Sequence, residues 1–326
     1  MTTSASLARA VDDGKPAVFV RIIGWLTLSA MAAFFINNIL DLGFGITRAV
    51  DGFGGLLPWI VYAAFAVGAV ILVQWTAARS LRRDALIVSN FNTYLIRGCF
   101  FAVLYIGVVD AGIAWLRVER MLPTLFSEEL ASALLRSGYI GPNVHLPLAL
   151  LGFITACFSR TLGFTWLALL IVMAELLIVI SRFVFSYEQS LMGDLVRYWY
   201  AALFLFASAH TLLEEGHVRV DVVFAGLSGR GKGRVNAYGT LLLGMTTTAA
   251  IFLICLWSKQ SIVNSPVINF EVSQTGTAGM YIKYQMAVFL LIFAITMQIQ
   301  FVSYFFDAVA DMRKEGGRRE VAPISH

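Results

Sequence analysis

The chain has 326 residues, 59% of them hydrophobic and only 13% charged, with a formal net charge of +4 and a mean hydropathy of +0.77. A soluble domain carries about 25% charged residues, and no interior of this size hides so much apolar surface, so a soluble globular protein is excluded. The basic residues cluster in loops and tail beside apolar runs, without an interleaved aromatic platform, which argues for orientation in a bilayer and against nucleic acid.

The opening residues, MTTSASLARAVDDGKP, contain acids and a proline, and no small-residue cleavage site follows, so the first apolar run is expected to be a retained span. Runs of about 20 apolar residues then predict spans at Ile22–Leu40, Leu56–Trp75, Gly98–Leu116, Thr161–Val184, Leu195–Leu213, Val235–Trp257 and Ile282–Phe306. Val144–Phe158 is short and stops at Ser159-Arg160, so it reads as a tight short span or one half of a broken helix. The fold class is therefore all-α, a polytopic helical membrane protein with about eight transmembrane helices.

With the N-terminus inside, the internal segments hold Arg9, Lys15, Arg21, Arg79, Arg82, Arg83, Arg160, Arg219, Arg230, Lys232, Arg234 and the basic tail after Met312. The external ones hold fewer, among them Arg48, Arg117, Arg120, Arg136 and Lys259. Both termini are therefore expected to be cytoplasmic, which requires an even number of spans.

Two external loops are long enough for structure. In SEELASALLRSGYIGP, Ser127 before Glu128-Glu129 and a helical apolar pattern reads as a capped surface helix. Ser258–Tyr281, rich in Ser, Thr, Asn and Gly, is a candidate to fold over an external partner.

The stretch ASAHTLLEEGHVRVDVVFAGLSGRGKGR, Ala207–Arg234, interrupts the apolar pattern. Gly216 is placed to end a helix, HVRVDV then alternates polar and apolar residues as a short extended or interfacial segment does, and Ser228–Arg234 reads as a flexible basic loop.

Ionisable residues at membrane depth are functional candidates by default. Arg182 and Asp194 flank the turn FVFSYEQSLMG, and Arg197 lies three residues after Asp194 on one helix face. Glu175 lies on the Arg182 face and about 10 Å deeper. These residues suggest either an ion or proton relay or a structural pair joining two helices. His145 and His210 fall at different expected depths, which argues against paired haem ligation. The cysteines Cys99, Cys157 and Cys255 stand alone. No HExxH, GxSxG or Gly-rich phosphate motif occurs, so neither an enzyme nor a cofactor or metal site is expected.

ISRFVF at Ile180–Phe185, AHTLLEEGHVRVDVVFAGLSGRGKGRVNAYGTL and FEVSQTGTAGMYIKY together resemble the small membrane subunit of tripartite ATP-independent periplasmic (TRAP) transporters, in the branch called mannitol or chloroaromatic-compound type. The likeness covers about Thr161–Asp311. It implies a four-helix small subunit over 159–312, preceded by an N-terminal membrane extension over 1–158 and followed by a basic tail over 313–326. It also implies a scaffold role in the bacterial inner membrane. The implied partners are a large transport subunit, a periplasmic binding protein and membrane lipids, the cargo an organic acid and the driving force an ion gradient. The sequence departs from the resembled pattern at Leu191-Met192-Gly193-Asp194, where the family often has a Trp and paired glutamates.

On this reading the assembly residues are Glu175, Arg182, Asp194, Arg197, His217, Arg219 and Asp221, while Glu271 and Lys283 are candidate partner contacts. The alternatives are a membrane haem anchor for a redox enzyme, or an independent channel or carrier.

Overall fold

A computed structural model of the chain describes residues 15–46, 55–161, 163–214, 222–272 and 276–317. Among them the regular structure is helical, with no strand. Seven helices are long and apolar enough to cross a membrane. They are α1 (Val18–Phe44), α2 (Leu56–Trp75), α3 (Leu81–Val118), α6 (Ser137–Phe158), α7 (Phe164–Phe185), α10 (Gly229–Leu256) and α12 (Lys283–Met312). The short helices α4 (Leu122–Leu125), α5 (Glu128–Ala133), α9 (Val222–Ala225) and α11 (Asn264–Ile268) lie between them.

The expected eighth span exists as α8 (Ser190–Leu213), 24 residues long, but it is not among those seven. Asp194, Arg197, the run Tyr198-Trp199-Tyr200 and His210 reduce its hydropathy. Its buried residues Leu191, Asp194, Tyr198, Ala202, Phe206 and Ala209 recur at helical spacing, so α8 presents a mixed polar and aromatic stripe to the protein.

The uncertain fourth segment is helical from Ser137 to Phe158, with a π-helical turn at Gly141–His145. Pro142 in that turn cannot donate a backbone hydrogen bond, and the wider turn accommodates it. Gly152 fixes where α6 packs, because a Cβ there would sit 2.4 Å from the Ala102 backbone nitrogen of α3. The expected surface helix is α5, with the Ser127 side chain accepting from the Leu130 N–H. Leu122, Ala131, Leu134, Ile140 and Tyr281 form a buried cluster beneath it.

The expected basic loop at Ser228–Arg234 is instead the first turns of α10, with Ser228 as N-cap accepting from the Gly231 N–H. Gly233 belongs in a helix despite its low propensity because a Cβ would meet the Met312 nitrogen of α12 at 2.7 Å. Close packing there requires glycine.

The contacts divide the chain into two units. The first takes Met1–Asn92, Thr211–Leu253 and Met297–His326, the second Thr93–His210 and Ile254–Thr296. Long helices, among them α3 and α12, contribute to both. In the first unit the Asn37 amide of α1 donates to the Pro58 carbonyl of α2, and Ser303 of α12 donates to the Ala85 carbonyl of α3. In the second, Phe100, Phe164, Phe206 and Phe289 form a chain of ring contacts with centroids 4.7 to 5.5 Å apart. Aromatic edges against faces supply much of the packing specificity at such a centre.

Candidate functional site

The densest polar arrangement lies in the second unit around the start of α12. The residues just before Lys283 have backbone N–H groups with no helical acceptor, as every helix start does. Two buried carboxylates from other helices take them. Asp194 of α8 accepts from the Met280 N–H at 3.1 Å, and Asp110 of α3 accepts from the Tyr281 N–H at 2.8 Å. Negative charge is also favoured there by the helix dipole.

Asp110 is fully buried, and its other oxygen lies 3.2 Å from Nε2 of His145, itself buried. Nδ1 of His145 is 2.6 Å from the Tyr284 hydroxyl and accepts from the Gln285 amide at 2.6 Å. The Gln285 carbonyl in turn accepts from the Tyr198 hydroxyl. An accepting Nδ1 leaves the ring proton on Nε2, facing Asp110. Arg117 covers this end, donating to the Gly279 carbonyl at 2.9 Å and lying 3.8 Å over the Tyr281 ring. Tyr281 donates to the Leu135 carbonyl at 2.8 Å. Groups from α3, α6, α8 and α12 thus bond across to one another, which suits a lock between helices.

The first unit holds ion pairs as well. Arg21 and Asp84, both with fully buried side chains, pair at 2.7 Å. Asp84 also accepts from the Trp25 indole at 2.8 Å, while Arg21 donates to the Thr76 carbonyl and hydroxyl, each at 2.6 Å. Arg82 reaches Asp307 at 3.0 Å and Asp311 at 2.5 Å, tying α3 to α12. Near this end, burial raises the Glu315 carboxyl above its ordinary pKa, with Arg313 opposing the shift.

The residues expected from sequence are distributed as follows. Asp194 and Arg197 are paired at 3.0 Å, with Arg197 largely exposed. Arg182 lies 3.4 Å from Glu188 in the turn after α7. Beside it, Tyr187 donates to Glu119 at 2.6 Å, which raises the phenol pKa. Glu271 and Lys283, candidate contacts to a partner, pair with each other at 2.7 Å while keeping part of their surface exposed. Glu175 is exposed on α7. His210 lies in α8 with its ring centroid 5.1 Å from that of Phe164. His217, Arg219 and Asp221 lie outside the described residues.

Sequence reasoning missed Arg21–Asp84, Arg82–Asp307/Asp311 and Asp110–His145 as pairs. Each joins residues far apart in sequence. The one local signal was Arg21 and Trp25, four apart on one helix face, which now converge on Asp84.

These features define a polytopic helical membrane protein whose buried polar chemistry joins helix to helix. Residues 168–310 match the family model described as the DctQ component of tripartite ATP-independent periplasmic transporters. The match covers less than half of the chain and falls within the Thr161–Asp311 likeness, supporting membrane transport of the TRAP type and similarity to the small subunit. No curated protein and no solved structure matches the chain.

Proposed function

We propose that the chain is the small scaffold subunit of a TRAP-type secondary transporter. It packs against a large transport subunit in a bacterial inner membrane and helps dock a periplasmic binding protein that delivers an organic acid for ion-driven uptake. It carries no catalytic centre of its own. The branch is the mannitol or chloroaromatic-compound type, residues 1–158 are an N-terminal membrane extension, and both termini face the cytoplasm.

The observation that carries this reading is the DctQ match over residues 168–310. The anchoring of the segment before α12 by Asp110 and Asp194 supports it. Four helices held by internal hydrogen bonds make a rigid element against which another subunit can move.

The test is a mild-detergent pull-down of tagged chain from its native membrane, with mass spectrometry and an absorbance scan. The expected result is a much larger polytopic partner and no haem band. Recovery of the chain alone, or with a haem band and a soluble redox partner, overturns the reading.

A further inference from the structure

Helix α7 carries a carboxylate at its middle. Glu175 is ten to eleven residues from either end of Phe164–Phe185, so helix rise puts it roughly 15 Å from each. That is about half the thickness of a bilayer's hydrocarbon layer. The side chain is exposed, and among the described residues it has no hydrogen bond and no ion pair. One turn to either side, Val172 and Val179 are exposed as well. Of the seven spans, α7 is the least covered, with 11% of its apolar window buried against 50% for α12.

Exposed valines and leucines are at home against lipid, but an intramembrane carboxylate is not, and such groups face protein or water in assembled membrane proteins. A second copy meeting this face through the same residue would set carboxylate against carboxylate. A basic side chain would complement it.

We infer that the Val172–Glu175–Val179 face of α7 docks a membrane-spanning helix of the large transport subunit that presents an Arg or Lys to Glu175 at mid-membrane depth. The inference rests on the scaffold reading above and names the contact through which the scaffold is held. Because Glu175 bonds to nothing among the described residues of its own chain, its replacement is expected to leave the fold intact.

The experiment uses the full chain in its native membrane, tagged, as wild type, Glu175→Leu and Glu175→Gln. A photo-crosslinking amino acid is placed at Val172 or Val179, with Trp59 on α2 as a control. Glu175→Leu is expected to lower recovery of the large partner about three- to tenfold, the range spanned by interhelical polar contacts, while the chain stays monodisperse with an unchanged melting temperature. Glu175→Gln should recover part of the loss. Crosslinks from 172 and 179, but not from 59, should map to one basic-residue-bearing span of the partner. Normal recovery of the partner with Glu175→Leu, or crosslinks only to lipid or to a second copy, overturns the inference and leaves the scaffold reading standing. Wild-type chain that recovers no large partner overturns both.

Discussion

Two helices within the DctQ-matched segment handle polar side chains in opposite ways. On α12, Gln285, Thr296, Gln298, Gln300 and Ser303 are all buried. Gln285 meets His145, Gln300 accepts from Asn92, and Ser303 donates to the Ala85 carbonyl. On α7, Glu175 and Arg182 are exposed. Where no water competes, a polar side chain is tolerated if a partner is supplied. Among the described residues the chain supplies partners to these α12 side chains and none to Glu175 in the middle of α7. A helix's polar residues thus mark either what the fold holds together or what it leaves for another molecule.

The largest effect should come from cutting a fully buried charge out of the internal set. Asp84→Ala leaves Arg21 without its counter-ion and the Trp25 indole without its acceptor. It should lower stability by about 3–5 kcal/mol, read as a fall in melting temperature of the detergent-solubilised chain. Asp110→Ala, which strands the Tyr281 N–H and the His145 Nε2–H, should cost about 1–3 kcal/mol for each stranded donor and should also deprotect the Tyr281 amide in hydrogen exchange. A stable Asp110→Ala protein would show that the α12 network is not a lock.

Overpacking tests the backbone contacts. Gly152→Val must displace α6 from Ala102, at a cost of about 1–3 kcal/mol or more. The same substitution at Gly68 of α2, where a Cβ meets nothing within 4 Å, should be tolerated. On α7, Val172→Ala should change stability of the isolated chain by no more than about 0.5 kcal/mol, because the side chain is exposed.

The smallest effect concerns pH. Burial raises the Glu315 pKa, so the folded chain holds this proton more tightly than the unfolded chain does. Its contribution to stability is present below the unfolded pKa and is lost as pH rises through the folded one. Glu315→Gln should therefore flatten the stability profile just above the ordinary carboxylate range.

Hydrophobic runs made the helices legible in sequence. Leu56–Trp75 is found with the expected ends, and others such as Val18–Phe44 extend a few residues further. What periodicity could not foresee were features set by tertiary contact. The glycines before Val235 looked like a loop because helix propensity penalises them, whereas close approach of α12 at Gly233 favours them. Val144–Phe158 looked short because the apolar run begins only there, whereas the helix starts at Ser137 and a π turn accommodates Pro142. Local spacing did reveal Asp194–Arg197, three residues apart. The buried pairs were invisible for the opposite reason, since Arg21 finds Asp84, and Asp110 finds His145, only once the helices have packed.

The 38 residues of α3 have a further consequence. At helical rise they extend roughly 57 Å, nearly twice the hydrocarbon thickness of about 30 Å. A bilayer of altered thickness therefore acts on α3 through hydrophobic mismatch, to which a helix responds by tilting. Its first turn is tethered by Asp84 to Arg21 and by Arg82 to Asp307 and Asp311. Tilt of α3 must then carry α1 and α12 with it or strain those bonds, so acyl-chain length is a variable to which this chain's stability should respond.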